Sequence, residues 1–297
     1  MAAGKKIGIR GKFVMLLGIL GFIALIVIAI ASYLFSVKHA LSEAKTRGEL
    51  IVNYILSSRQ YYHQSQRPLI NEILEKDRFY PELMSEFVIA GETWEIFKNN
   101  LPGYEFKQAA LNPLQPDNQA NTDESGIIDL FRKDPATTEK EGILKLQGED
   151  YYYLAKPLKV NDEGCLDCHG DPADAPKDQV ELYGAEGGYN WQFGEVVGAD
   201  FVYIPINQAM ASVKLNAAKI LLAGGCVLIL SLLFVWVFFN NRIVAPLLRL
   251  IARTEEISLG RNLEQELELK DAKDEIGTLA QAIDRLRVSM YKMLTRR

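Results

Sequence analysis

Two stretches without a charged side chain stand out in the hydrophobic pattern, Phe13 to Phe35 and Ile220 to Phe239. Each is long enough to cross a bilayer as a helix. From Ser36 to about Gln66, Leu41, Ala44, Ile51, Ile55 and Tyr62 keep roughly helical spacing, so the first span is expected to run on as one long helix. Pro68 should close or kink it. Leu69 to Lys76 and Pro81 to Phe97 read as two more helices, the second burying Met84, Phe87, Val88 and Trp94. Leu101 to Asp123, rich in Pro, Asn, Gln and Gly, reads as an irregular loop. Gly142 to Gln147 and Tyr151 to Leu158 are β-like, with Gly148-Glu149-Asp150 as the hairpin turn between them. Glu195 to Ile206 predicts a third strand, and Ile206 to Lys219 a helix leading into the second span. The pattern therefore predicts an α+β domain, helices packed on a small antiparallel sheet, between two spans.

Beyond the second span, Ile243, Leu247, Leu250, Thr254 and Ile257 alternate steps of four and three, and so do Ile276, Leu279, Ile283, Leu286, Met290 and Met293. Such seams make helices supercoil in parallel bundles. The connector offers Gly260 for a tight turn and Leu263, Leu267 and Leu269 as anchors. Two short seams bury little alone, so a homodimer with a four-helix bundle is expected. A single amphipathic hairpin on the membrane surface is the alternative.

Charge gives the pattern a direction. Residues 1–12 carry a net +4 and 240–297 a net +2, while the middle carries −11 of a total −5. Basic residues flanking the spans (Lys5, Lys6, Arg10 and Lys12; Arg242, Arg249 and Arg253) put both termini in the cytoplasm by the positive-inside rule. The expected division is a cytoplasmic N-terminus 1–12, span 13–35, an external domain 36–219, span 220–239 and a cytoplasmic part 240–297, in a bacterial inner membrane. An acidic external domain argues against nucleic acid and against docking on anionic lipid. Ala29-Ile30-Ala31 before Ser32 resembles a signal-peptidase site, but the apolar run exceeds a usual signal core, which favours an uncleaved anchor.

The chemistry sits in Cys165-Leu166-Asp167-Cys168-His169. Two cysteines two residues apart with an adjoining histidine is the attachment pattern of a c-type haem. Each thiol adds to one vinyl group, and the imidazole becomes the proximal iron ligand. A zinc site would need about four ligands, and a thioredoxin-like pair would need a βαβ context. Cys226 lies inside the second span and reads as a small buried apolar residue. One covalent haem c is thus expected, held by Cys165, Cys168 and His169.

The second axial position is open to several readings. His63, near the end of the long helix, is the candidate metal ligand, with a structural role or a water-filled position as alternatives. His39 lies close to the membrane edge, and Met84 and Met210 read as core. Arg59 could pair with a haem propionate or stay a surface charge. Tyr151, Tyr152 and Tyr153 put two rings on one face of a strand and one on the other, with core packing the default.

Two resemblances follow from these residues. Residues 242–297 resemble a HAMP domain: Pro246 early in the first helix, Glu255 or Glu256, the connector Gly260, and Asp274-Glu275-Ile276-Gly277 with Leu279 opening the second helix. Residues 40–208 resemble the periplasmic c-haem sensor domains of PAS-like fold found in bacterial chemoreceptors and kinases. The matching residues are Asn112-Pro113, the haem motif with Gly170, Tyr183-Gly184, Gly194-Glu195 and Gly198-Ala199. The resemblance implies a redox or gas sensor whose sixth ligand varies among members. No kinase, cyclase or long methyl-accepting segment follows within the sequence, so the expected output is a cytoplasmic partner of kinase or chemotaxis type. The rival is a membrane-anchored monohaem cytochrome, or a haem subunit of a larger complex. An enzyme is not expected, since no distal acid–base pair is evident.

Overall fold

The computed structural model describes residues 8–75, 78–268, 270 and 273–295. Lys5, Lys6, Lys76 and the expected connector anchor Leu269 lie outside them. The chain divides into two compact units, residues 34–214 and residues 1–33 with 215–297.

In the first unit, β1 (Glu105–Ala110), β2 (Lys140–Leu146), β3 (Glu149–Lys159) and β4 (Val196–Pro205) form one antiparallel sheet in the order β1-β4-β3-β2. The α+β expectation holds, with one strand more than the pattern predicted. β1 falls inside the stretch read as a loop. Its sequence, EFKQAA, has no β-branched residue, and its pairing is imposed by β4, where Glu105 opposes Tyr203 and Ala110 opposes Gly198. The β2–β3 turn is Gln147-Gly148, both at positive φ (52° and 88°). A two-residue turn of that kind matches the twist of the strands, which moves the turn earlier than Gly148-Glu149-Asp150.

Alternation along β3 and β4 splits the core in two. On one face, Leu154, Tyr152, Val202 and Ile204 pack with Ala44 and Val52 of α1 (Ile9–Tyr61). On the other, Tyr153, Ala155, Phe201 and Tyr203 pack with Ile127, Ile128 and Phe131 of a helix over Thr122–Lys133. That helix begins with a capping box: Glu124 N–H donates to Asn121 Oδ1 at 2.9 Å and Asn121 N–H to Glu124 Oε2 at 2.8 Å. The Glu124 carboxylate, fully buried, also accepts from Tyr203 Oη and Lys107 Nζ, so both oxygens of the buried charge have partners. The Tyr151–Tyr153 run is core packing on both faces, as its alternation predicts.

Pro68 does not end the long helix. A π-turn over Tyr62–Gln66 intervenes and α2 (Arg67–Ile73) continues beyond it. This puts Pro68 in the first turn of α2, directly after the π-turn, so the long helix is rewound beside the proline rather than closed by it. The expected helix from Pro81 is also split, into α3 (Pro81–Met84) and α4 (Glu86–Lys98). Ser85 between them is extended, and its hydroxyl accepts from Val88 N–H. With these four named, the helix on Asn121 is α5. Later elements are α6 (Leu166–His169), α7 (Lys177–Tyr183), α8 (Asn207–Phe239), α9 (Ala245–Ser258) and α10 (Glu275–Thr295).

In the second unit, α1 and α8 each carry a stretch apolar and long enough to cross a membrane. They approach each other at glycines: a Cβ on Gly21 would strike Leu228, and one on Gly224 would strike Leu25. Small residues at such crossings let helices pack closely in lipid. A second π-turn, Asn240–Val244, joins α8 to α9. Leu250 and Ile257 of α9 pack with Leu263 and Leu267 of the connector and Ala280, Ile276, Ile283 and Met290 of α10. Asp274 explains the Asp-Glu-x-Gly opening, because its Oδ1 accepts from Gly277 N–H at 2.9 Å and caps the helix. The α10 seam divides in two. Ile276, Ile283 and Met290 face inward, while Leu279, Leu286 and Met293 stay 44, 63 and 67 % exposed.

Candidate cofactor site

The cysteine–histidine motif is delivered by the loop between β3 and β4. The register slips between Leu158 and Lys159, and the loop is then pinched shut by Val160 N–H to Glu195 O at 2.9 Å and Gly194 N–H to Val160 O at 2.8 Å. Inside it, Asp162 Oδ1 accepts from Gly164 N–H and starts a tight turn that runs into α6. Cys165, Cys168 and His169, at i, i+3 and i+4 across this turn and α6, share one side of it. Gly170 ends the turn, since a Cβ there would lie 2.5 Å from Leu166 O.

Three bonds clamp the motif's backbone. Gln179 of α7, fully buried, donates from Nε2 to Cys168 O at 2.7 Å. Asn190 N–H bonds Gly170 O at 2.8 Å and Trp191 N–H bonds His169 O at 3.0 Å. Residues 188–191 therefore lie alongside 168–170, and that places two groups on the imidazole. The Trp191 ring stacks on His169 at 3.9 Å and 8°. Gly188 O lies 2.6 Å from His169 Nδ1. A carbonyl can only accept, so Nδ1 carries the proton and Nε2 is left with its lone pair, the arrangement a metal-ligating histidine requires. Burial lowers the imidazole pKa, against the pull of Gly188 O, and keeps the ring neutral.

The second loop is itself built around close approach. Gly188 has φ +79°, and a Cβ on it would lie 2.7 Å from Leu114 N. A Cβ on Gly187 would lie 2.6 Å from Pro113 O. The Asn112-Pro113 stretch thus supports the glycines that hold His169. Cys165 and Cys168 are unpaired, and burial pushes both thiols up, so they persist as thiols at neutral pH. Among the described residues no group of three or more His, Cys, Asp and Glu could hold a metal ion. Two free thiols beside a neutral imidazole with an orienting carbonyl fit a covalently attached haem.

His63, on the π-turn, is brought to this loop. Its Nε2 lies 2.8 Å from Asp162 Oδ2 and its Nδ1 3.4 Å from Glu86 Oε2. Both ring nitrogens face carboxylates, so coordinating a metal through either would first break a contact. Arg59 is a correction. Its two terminal nitrogens are bound to Asp200 of β4 at 2.6 and 3.0 Å, buried, and the fork expected for a propionate is engaged by the sheet. The cation that does stand by the motif is Arg67, whose Nη2 donates to Gly164 O at 3.3 Å. Sequence reasoning missed it; its place one turn after His63 was the available signal. Trp191 and Gly188 were missed too, in the loop between the motif and the last strand. His39 stacks on Phe35, Met84 Sδ accepts from Tyr80 N–H at 3.4 Å, and Met210 packs on the α1-side core.

Burial raises the Glu86 pKa, opposed by His63 and Arg59. An acid whose folded pKa lies above its unfolded one contributes stability below the unfolded value and loses it as pH rises through the folded one. Glu86→Gln should therefore stabilise the fold at neutral pH, by about 1 kcal/mol. The gain should vanish in acid, as pH-dependent thermal melting would show.

Residues 37–205, more than half of the sequence, match the model of the Tll0287-like family. The chain belongs to that family. Residues 238–290 match the HAMP domain. Among solved structures, the crystal structure of the cyanobacterial heme-protein Tll0287 is similar over 52 % of this chain and 94 % of its own, at 19 % identity and a TM-score of 0.40. No curated protein matches. The Tll0287-like match takes in the whole sheet, the clamped loop and the Asn112-Pro113 support, and the HAMP match takes in α9, the connector and most of α10.

Proposed function

We propose that this Tll0287-like protein is a membrane-bound c-type haem sensor of PAS-like fold that passes a redox or diatomic-gas signal through its HAMP domain to a cytoplasmic partner of kinase or chemotaxis type. The observation that carries the reading is the engagement of His169 Nδ1 by Gly188 O beside two free thiols, on a chain that also holds a HAMP domain. A haem bound there supplies a one-electron couple and an axial position at which a diatomic gas can bind.

The chain's own residues offer a route for the signal. Asp162 on the motif loop holds His63 on α1's π-turn, and Arg67 at the start of α2 holds Gly164 O. A shift of the motif loop therefore pulls on the end of the helix that contains the first span. Small displacements of packed helices can bias a two-state bundle, and a few kcal/mol suffice. The exposed Leu279, Leu286 and Met293 repeat one heptad apart, which suits a homodimer in which a second copy covers them. His63 as second axial ligand remains part of the proposal. On this reading both termini are cytoplasmic, the sheet domain is periplasmic, and no substrate bond is made or broken.

The test is spectroscopic. The full chain, made with a c-type maturation system, should give a pyridine haemochrome of one haem per chain, and Cys165→Ala with Cys168→Ala should abolish the covalent signal. A Soret shift when CO or NO meets the ferrous protein supports gas sensing. A spectrum that is six-coordinate in both redox states and indifferent to CO leaves redox sensing or electron transfer. Absence of any haemochrome would end the proposal.

A further inference from the structure

Where the two apolar stretches end together, α1 and α8 meet through a polar corner. Arg10 Nη1 donates to Asn240 Oδ1 at 2.6 Å, and the guanidinium lies 5.0 Å from the centre of the Trp236 ring. One turn along α1, Phe13 stacks on Phe239 at 5.1 Å and 16°. Phe13 and Phe239 are also the residues at which the uncharged stretches start and stop. Arg10 and Asn240 therefore stand just beyond the apolar runs, at the depth of lipid headgroups.

Arg10 has no counter-charge there. No Asp or Glu occurs in residues 1–42 or 207–254, and the bond to Asn240 is to a neutral amide. Its Nε and Nη2 have no partner among the described residues and are not buried, so one edge of the guanidinium fork stays open. Lys12, Arg242 and Arg249, all exposed, add to the positive field.

We infer that this corner binds the phosphate of an anionic phospholipid of the surrounding bilayer. An open guanidinium edge matches two phosphate oxygens, and basic pockets between spanning helices take anionic headgroups. At this depth the bilayer itself presents the phosphate. Asn240 is the first residue of the π-turn into α9, so the bound lipid would sit at the joint between the second span and the HAMP domain. The inference rests on the reading of α1 and α8 as membrane spans, and it uses no group of the haem motif.

Lys12 is the control for general attraction, because it carries the same charge about 200° further round α1. The full chain, labelled with 5-fluorotryptophan, is placed in phosphatidylcholine nanodiscs with a rising share of phosphatidylglycerol. About 0.5 M salt screens attraction between charges that are not in contact. The three tryptophans give three ¹⁹F signals, and Trp236→Phe identifies one. The expected result is a Trp236 signal that moves saturably with phosphatidylglycerol while the other two stay. Arg10→Gln should weaken that response about tenfold, Arg10→Lys, which keeps the charge without the fork, by less, and Lys12→Gln by less than about twofold. Equal losses in Arg10→Gln and Lys12→Gln, or a Trp236 signal indifferent to phosphatidylglycerol, would overturn the inference. So would the same shift produced by inorganic phosphate in pure phosphatidylcholine discs, which would make this a site for a free anion. A chain that does not enter nanodiscs at all would sink the reading of the two spans, and this inference with it.

Discussion

Asp200→Ala is expected to destabilise the sheet domain by about 3–5 kcal/mol, a large part of what holds a domain of this size together. Asp200 sits in the central strand β4 and Arg59 on α1, with 2 and 6 % of their surfaces exposed. The carboxylate takes both Nη groups, while the guanidinium lies over the Phe87 ring at 4.3 Å and 5.9 Å from the centre of Phe106. Deleting the carboxylate strands a guanidinium among rings, with only the weaker coulombic pull of Glu86 left to it. Asp200→Asn keeps one acceptor and should lose less. The double change Arg59→Met with Asp200→Leu should recover most of the loss, because a buried ion pair is worth little more than well-packed apolar side chains. Chemical denaturation of the full chain, followed by near-ultraviolet circular dichroism, reads all three. A loss below about 1 kcal/mol for Asp200→Ala would mean that water reaches the pair and that α1 is held to the sheet by its apolar face alone.

That pair also shows where reading the sequence stops. Arg59 is conspicuous as the one Asp, Glu, Lys or Arg between Glu49 and Arg67, but its partner lies in the last strand, and nothing local couples them. His63 with Asp162, and Arg67 with Gly164 O, are likewise contacts across the fold. What was legible rests on local physics: the two apolar spans, the alternating Val-, Tyr- and Phe-rich strands, the heptad seams and the cysteine–histidine spacing. β1 was not legible because its residues have little strand preference; β4, buried on both faces, recruits it. α5 was legible and missed, since Asn121 and Glu124 spell a capping box. The identity of the site was therefore readable, while its support was not: Gly188, Trp191 and Gln179 reach the motif only after the chain has folded back on itself.

Gly188→Ala should consequently disturb the hold on the imidazole. The position has φ +79°, which costs a side-chain-bearing residue about 1–2 kcal/mol, and the added carbon would lie 2.7–2.8 Å from the backbone of Leu114. Something must shift, and Gly188 carries the carbonyl that holds His169 Nδ1. Gly184 separates strain from displacement, because its φ is +80° and a Cβ there meets nothing within 4 Å. Gly184→Ala should cost stability alone. Gly188→Ala should cost stability and also free the imidazole to turn off the Trp191 ring. On the proposed function the pyridine haemochrome is then unchanged, since the two thiols still anchor the group, while the Soret band shifts and the reduction potential moves. Identical Soret bands in the two variants would show that His169 is held by its stacking and its own backbone clamps, and that the carbonyl is incidental.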